Sequence, residues 1–463
     1  MIYCINMRIE HLLENEQAVR VFDQLLPGMR QRITSNPQSL TLSVEQLIHY
    51  LGVPEAEDIL SAMEKGLQAL NTAENRISPS EAKLIQRFQE IDQREKALPP
   101  KKNGSHVQDA IYPGQPWLDT KGERIQAHGG AVYYEDGIYY WYGENKAYTD
   151  GKNGVWTWGI KVYASTDLCN WEDRGYLIPP VLDDPNSPLF PARCVDRPHI
   201  LKCGSTNKYV CWIKLSGPDA SFSIWQADHL LGPYEQVKAM YRPGGYSSGD
   251  FDLVSDEASG KGYLFFEVDH ASVLCMELSA DYLNAEREVS VSYPDHTPPF
   301  TREAPALFEV NGKKYMLTSG MTGYVPNKSD TAAADSWEMP FMSIGNPHVA
   351  DATNASFNSQ ISKVFKVAGR EGLFIAMADR WLPEYHVDAR IADLFTRVIA
   401  SRSYPEQYQA TVAEREEVYA ANVLETANTA ISDYVWLPLR VEKQSDTYPQ
   451  GRVLIEWKDA WTI

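Results

Sequence analysis

From about Ile111 one unit recurs five times: a turn rich in Gly, Asn, Asp or Lys, then an aromatic-rich strand of period two. The copies are EDGIYYWYGE, TNKYVCWIKL, GKGYLFFEVD, NGKKYMLTSG and EGLFIAMADR. In the fourth, Asn311-Gly312 joins ALFEV to KYMLTSG, and Asn-Gly between two alternating apolar runs is the strongest short-range hairpin signal. Most copies are followed by a looser one: KVYASTDLCNWE, SIWQADHLLGPYE, LCMELSADYLNAE and TAAADSWEMP. The main copies lie about 50–70 residues apart, the size of a four-stranded propeller blade with its loops. A single unit cannot bury both its faces, so the units must pack side by side around a channel. A β-sandwich of unrelated hairpins is the rival arrangement, and it leaves five aligned turns unexplained. The predicted fold is mainly β: a five-bladed β-propeller over residues 111–463.

The flanks follow another period. Residues 1–100 read as an α-helical accessory domain. HLLENEQAVRVFDQLL carries Leu12, Leu13, Val19, Phe22, Leu25 and Leu26 at helical spacing and stops at Pro27-Gly28. Ser43 to Gln46 is a capping box, and Glu55 to Leu70 carries a further apolar stripe. Ser78-Pro79-Ser80-Glu81 supplies an N-cap, a proline at the first helical position and a glutamate at the third. The helix it starts carries Leu84, Ile85, Phe88 and Ile91, and LPPKKNGSH follows as a linker. Between the fifth copy and YVWLPLRVE, about 384–430 read as two helices around Tyr404-Pro405, an insertion from a blade edge. VLIEWKDAW then closes the last blade, because a ring must hide its edge strands. No catalytic cluster falls in the first 100 residues. Those helices offer a face for packing on the propeller or for forming a homo-oligomer.

Acidic residues outnumber basic ones 62 to 43, for a formal charge of -19. A phosphate-binding surface needs the opposite sign, so nucleic acid is excluded as a partner. Neutral sugars are compatible with that charge, and 26 Tyr and 12 Trp supply rings that can stack on them. The six cysteines form no CxxC pair, so no zinc ribbon is expected. The start lacks a basic n-region and a long apolar core, and no stretch is apolar enough to span a bilayer. The expectation is a cytoplasmic protein with free thiols and no membrane partner.

Near the starts of a propeller's innermost strands, side chains converge on the axis. Five polar strings stand at such points: Gln126 to Gly130, Cys194 to His199, Ser247 to Asp252, Thr301 to Pro305 and Ser356 to Gln360. A lone Asp before a strand is usually a turn former. Carboxylates at three equivalent points (Asp196, Asp250 and Glu303) are harder to explain as turns. Glycoside cleavage needs a protonated carboxyl near the leaving oxygen, and a neighbouring carboxylate raises its pKa by like-charge repulsion. Glu303 beside Asp250 fits that need.

The strings QAHGGAVYYEDGIYYWYGENK, VDRPHI, SSGDFDL, REAPALFEVNGKKYMLTSGMTGYVPN, FNSQIS, MADRW and YVWLPL, in that order, resemble glycoside hydrolase family 43. Within it they are most similar to the exo-β-1,3-galactanase group. The likeness covers roughly Ile111 to Leu382 and the stretch from Asp433 onward, leaving out the N-terminal helices and the insertion. It implies a five-bladed propeller that hydrolyses glycosidic bonds with inversion. It also implies a glutamate acid, an aspartate that tunes it, and an aspartate base. Glu303 in REAP matches the acid, and Asp250 in SSGDFD matches the tuning aspartate. The base is absent, since His128-Gly129-Gly130 stands in its place. The galactanase-like group shares that absence, and a glutamine in the NSQ string is given the task there; it matches Gln360. A neutral amide is a poor base, so an imidic form or simple water positioning is needed. Asp196 stands where the galactanases carry glutamate, which withdraws the carboxylate by about one methylene, ~1.3 Å. Inversion places acid and water-holding group ~6.5–9.5 Å apart.

Further substrate-binding candidates are Glu144 in YGENK, Asn358 in FNSQ and Tyr324 after GMTG. Trp141 and Trp381 either stack on a sugar or pack a blade core. Arg380 either pairs with a central carboxylate or binds substrate. His128 meets a sugar, a water or a central ion, and no metal or cofactor is assigned. The reading is an inverting, exo-acting glycoside hydrolase that removes terminal β-1,3-linked galactose from oligosaccharides. An α-L-arabinofuranosidase or β-galactofuranosidase on the same fold, and a non-catalytic sugar-binding propeller, are the alternatives.

Overall fold

The computed structural model describes residues 3–34, 37–40, 42–53, 55–71, 77–98, 106–217, 220–421 and 427–463. The expected linker falls mostly on 99–105, outside the described residues.

The chain before the propeller forms helices α1 (Ile9–Leu12), α2 (Glu16–Leu25), α3 (Met29–Thr34), α4 (Pro37–Leu40), α5 (Val44–Tyr50), α6 (Ala56–Gln68) and α7 (Pro79–Ala97). The single helix expected from His11 to Leu26 is two. Asn15 interrupts it, because its side chain accepts from the amides of Gln17 at 2.8 Å and Ala18 at 3.0 Å and so starts a new helix. The two expected capping boxes are formed, Ser43 with Gln46 and Ser78 with Glu81. Ile9, Leu12, Phe22, Leu47, Met63 and Leu67 lie in one buried apolar cluster of these helices.

Five sheets make five blades. The first holds β1 (His128–Glu135), β2 (Ile138–Glu144), β3 (Ile160–Ser165) and β4 (Glu172–Ile178). The second holds β5 (Val195–Lys202), β6 (Tyr209–Leu215), β7 (Ser221–Ala227) and β8 (Glu235–Tyr241). The third holds β9 (Ser248–Ser255), β10 (Gly262–Val268), β11 (Ser272–Leu278) and β12 (Ala285–Ser292). The fourth holds β13 (Arg302–Val310), β14 (Lys313–Gly320), β15 (Ser329–Ala334) and β16 (Met342–Gly345). The fifth runs, from outside in, β17 (His348–Val349), β21 (Arg452–Glu456), β20 (Asp433–Glu442), β19 (Phe374–Arg380) and β18 (Gln360–Lys366). Among the described residues only β17 pairs in parallel, against β21. The innermost strands neighbour one another in the order β1, β5, β9, β13, β18 and back to β1, which closes the ring.

An apolar cluster fills each seam between neighbouring blades. The seam between the fifth blade and the first is the most aromatic. Trp141 sits in it, with ring centroids 4.7 Å from Trp436, 5.3 Å from Trp171 and 5.8 Å from Trp117. A clasp outside the blades spans the same seam. The Ile111 amide donates to Trp461 O at 2.9 Å, and the Trp461 amide donates back at 3.0 Å.

The insertion is α8 (Ala389–Ser403) and α9 (Val412–Ala421), placed between β19 and β20. Leu394, Phe395, Val398 and Val418 of these helices bury Val325, which follows β14. No helix among the described residues is long and apolar enough to cross a membrane.

Candidate active site

All five innermost strands break register close to their starts. The shifts fall between His128 and Ala131, Asp196 and His199, Ser248 and Phe251, Glu303 and Ala306, and Ile361 and Lys363. The sequence there explains why. Pro198 and Pro305 lack a ladder N–H, and proline inside a sheet is confined to edges and bulges. Gly129, Arg197 and Ala304 take φ of 62, 48 and 52°. For the two non-glycine residues this costs ~1–2 kcal/mol each. A bulge bends its strand and re-aims the adjoining side chains. Groups from four blades consequently meet: Arg197 from β5, Asp250 from β9, Glu303 from β13 and Gln360 from β18.

Arg197 is the hub of that meeting. Its Nε lies 2.9 Å from Asp250 Oδ2, and its Nη2 donates to Gln360 Oε1 at 2.6 Å. Its backbone amide donates to Glu144 Oε1 at 2.8 Å. Its Nη1 is buried with no hydrogen-bond partner. The indole of Trp381 also donates to Gln360 Oε1, at 3.3 Å. Arginine and tryptophan are donors only, so they oblige that end of the amide to be the oxygen. The nitrogen then faces the other way and donates to Glu303 Oε1 at 2.8 Å and Ser319 Oγ at 3.0 Å. Gln360 is thereby held in its ordinary amide form. The predicted gap of ~6.5–9.5 Å between acid and water-holding group is absent, because the two side chains touch.

The charges divide between the two carboxylates. Burial by itself would raise Asp250, but the guanidinium of Arg197 and the ammonium of Lys214, 2.6 Å from Oδ1, hold it well below the usual carboxylate range. Glu303 moves the opposite way: burial and then the charge of Asp250 push it up, against Lys214 and Arg197. One carboxylate is thus kept ionised beside another kept protonated, an arrangement able to donate a proton to a bound oxygen. Glu144 is pushed up to about 7, by burial first and by Asp196, with Lys146 opposing. Its Oε2 lies 2.7 Å from the buried ammonium of Lys146.

A small cavity beside this cluster is lined by Glu303, Ser319, Tyr324, Gln360 and Trp381. Asp196, Glu144 and Asn358 are not among its lining residues, and both oxygens of Asp196 are engaged, accepting from Trp156 Nε1 at 2.7 Å and from Ser216 Oγ at 2.5 Å. Asn358, at φ 62°, is on the loop entering β18, and its Oδ1 is buried without a partner. The structure does not bring the remaining candidates to the cavity. His128 is fully buried, with Nδ1 2.9 Å from Asp379 and Nε2 3.2 Å from Tyr434 OH, so both ring nitrogens are engaged. Trp141 belongs to the aromatic seam. Arg380 donates to the carbonyls of Phe357 at 2.9 Å and Gly114 at 3.4 Å and pairs with no central carboxylate. Sequence reasoning gave no role to Arg197, Lys214, Lys146, Trp156 or Ser319. Arg197 stood inside VDRPHI, and the proline that follows it, which cannot join a ladder, is the signal that could have found it.

A family model described as "Glycosyl hydrolases family 43" matches residues 127–397. Among solved structures, the chain is similar to a GH43 β-1,3-galactosidase, BT0265, at 28% identity and a TM-score of 0.59. That match covers 77% of this chain and 64% of the other, so the chain spans under two-thirds of that protein's length. A second GH43 β-1,3-galactosidase, BT3683 with galactodeoxynojirimycin, is 24% identical with a TM-score of 0.58, covering 76% of this chain and 100% of the other. An exo-β-1,3-galactanase from Clostridium thermocellum is also 24% identical with a TM-score of 0.58, covering 77% and 67%. These last two likenesses speak to the fold. No curated protein matches the chain.

Proposed function

The chain belongs to glycosyl hydrolase family 43 and is a glycosidase, and we propose that it removes terminal β-1,3-linked galactose, with inversion, from galactan fragments or galactosides. The observation that carries this reading is the opposed pair of carboxyls on β9 and β13. Glu303, held protonated, gives its proton to the glycosidic oxygen as that bond breaks. Asp250, held ionised by Arg197 and Lys214, keeps Glu303 in its acid form and then favours return of the proton from solvent. The likeness to a β-1,3-galactosidase at 28% identity supports the sugar.

Gln360 fits water positioning better than proton abstraction. An imidic tautomer would carry a proton on Oε1, where Arg197 and Trp381 both point donors. A sugar entering the cavity displaces the Gln360–Glu303 hydrogen bond and separates the two side chains; the freed amide nitrogen holds the attacking water through one lone pair, the other lone pair attacks the anomeric carbon, and the proton that water loses passes to solvent. Tyr324 and Trp381 supply apolar walls, and Ser319, Asn327 and Gln360 are the polar side chains beside Glu303 in the cavity lining that sugar hydroxyls would meet.

One observation favours a second sugar class. Both oxygens of Asp196 are occupied within the protein, which weakens it as a hydroxyl acceptor for galactopyranose. The second class is an α-L-arabinofuranoside or a β-galactofuranoside. A panel of nitrophenyl glycosides separates these readings. Glu303→Gln is expected to abolish hydrolysis while leaving the fold intact, and near wild-type turnover in that variant refutes the assignment. Binding without turnover by the wild type across the panel would make it a non-catalytic sugar-binding propeller. Cys169, Cys203, Cys211 and Cys275 are free thiols, which supports a reducing, cytoplasmic setting and imported oligosaccharides as substrates.

A further inference from the structure

Two loops bring aromatic residues together, and one of them, Tyr324, lines the cavity. The first joins β2 to β3 and holds Trp156; the second follows β14 and holds Tyr324. The two rings meet with centroids 6.2 Å apart, and Tyr324 continues to Trp381 at 5.6 Å, so the three form one aromatic arc. Trp156 is fixed at both ends: its indole donates to Asp196, and its amide donates to Pro191 O at 2.7 Å. Lys146 lies 4.9 Å from its ring centroid.

Each loop has its back to a helical addition that is no part of the propeller. Behind Trp156, Val155 and Trp158 are buried against Phe88 of α7, whose ring centroid lies 5.8 Å from that of Trp158 and 5.2 Å from that of Phe190. Arg87 of the same helix donates to Asn153 O at 2.5 Å. Behind Tyr324, the neighbouring Val325 is 1% exposed and packs among Leu394, Phe395, Val398 and Val418 of α8 and α9. Thr322 donates to Val325 O at 2.7 Å and ties off the turn. A loop pinned on its rear by buried side chains loses little further freedom when a ligand arrives, and that preorganisation appears as affinity.

We propose that α7 and the α8–α9 pair are specificity elements: they brace Trp156 and Tyr324 as the two halves of one wall that receives the apolar face of a terminal sugar. The wall's ligand class is a neutral pyranoside with one face of C–H groups, and the proposal rests on the glycosidase reading for the chemistry at its far end. Phe88 and Val398 act here as positioning residues, since neither touches the cavity.

The test uses Phe88→Ala and Val398→Ala in the full chain. Sugar affinity is read by tryptophan fluorescence with galactose in a Glu303→Gln background, and KM and kcat are read on a nitrophenyl β-galactoside in the otherwise native chain. Each variant is expected to raise Kd and KM at least fivefold with kcat within twofold of the parent. A merely structural role lowers kcat through a lost active fraction and leaves KM and Kd unmoved, and that result overturns the proposal. Should Phe88→Ala fail to fold, Leu84→Ala on the same helix carries the same expectation. A parent that neither binds nor hydrolyses any sugar of the panel overturns the functional reading along with this one. A parent that does both, with variants equal to it in KM and Kd, overturns the bracing alone.

Discussion

Arg197→Lys separates the shape of the guanidinium from its charge. Arg197 serves Asp250 at 2.9 Å and Gln360 at 2.6 Å with different nitrogens of one planar fork. Lysine offers a single ammonium on a flexible stem and cannot hold both partners in that geometry. If it stays with Asp250, the Gln360 oxygen retains only Trp381, at 3.3 Å. A hydrogen bond to a charged partner contributes about 1.5–3 kcal/mol. Taken from the orientation of the amide, that amounts to roughly 10- to 150-fold in kcat/KM. The backbone should be spared, because the amide of residue 197 still donates to Glu144 and the bulge does not depend on the side chain. The assay is initial rates on a nitrophenyl β-galactoside, with thermal unfolding in parallel. A kcat/KM within threefold of wild type, at unchanged melting temperature, would refute the claim that Arg197 orients Gln360.

Three further outcomes are expected. Asp250→Asn removes the like charge that raises Glu303 and leaves Arg197 and Lys214 uncompensated, so both changes lower the Glu303 pKa; the alkaline limb of the kcat/KM profile should move toward acid, and an upward move contradicts the pairing. The folded-state pKa of Glu303 lies above its unfolded value, so its favourable contribution is full below the unfolded pKa and is lost as pH rises through the folded one. Glu303→Gln should therefore gain stability over wild type from about pH 5 to about 8 and hold a constant difference above that, as read by urea unfolding across pH. A Cβ on Gly249 would meet Glu267 Oε2 at 1.8 Å and Cδ at 2.7 Å; Gly249→Ala should cost about 1–3 kcal/mol through overpacking, checked by the same unfolding curves.

The ring was legible because its turns are local. Asn311-Gly312 and its four counterparts announce hairpins whatever the rest of the chain does, and the seams then follow from alternation. The carboxyls were legible for a related reason: Asp250, Glu303 and Gln360 all sit at strand starts, where polar residues have few structural excuses. What could not be read was the side on which each neighbour emerges. A one-residue slip turns a strand's side chains to the opposite face, and all five innermost strands slip near the site. His128, just before such a slip, is directed to Asp379 and Tyr434, while Arg197, within one, reaches the centre. Trp141 and Trp381 are alike in sequence, yet one fills a seam and the other lines the cavity. Nor could sequence foresee that Lys214 and Trp156 would serve Asp250 and Asp196, because those pairings join different strands and loops across tens of residues. The N-terminal helices and the inserted pair were seen as elements but not as supports for particular loops.

The clasp between Ile111 and Trp461 bears on how the molecule comes into being. Synthesis delivers residue 111 some 350 residues before its partner, counted from the two positions bridged, and β20 acquires its outer neighbour only when Arg452–Glu456 has emerged. Four blades can thus stand assembled on the ribosome with an open flank of unsatisfied strand edge, an invitation to sticking. Yield in a cell should then depend less on the strength of the finished ring than on how long that flank waits for its last strand.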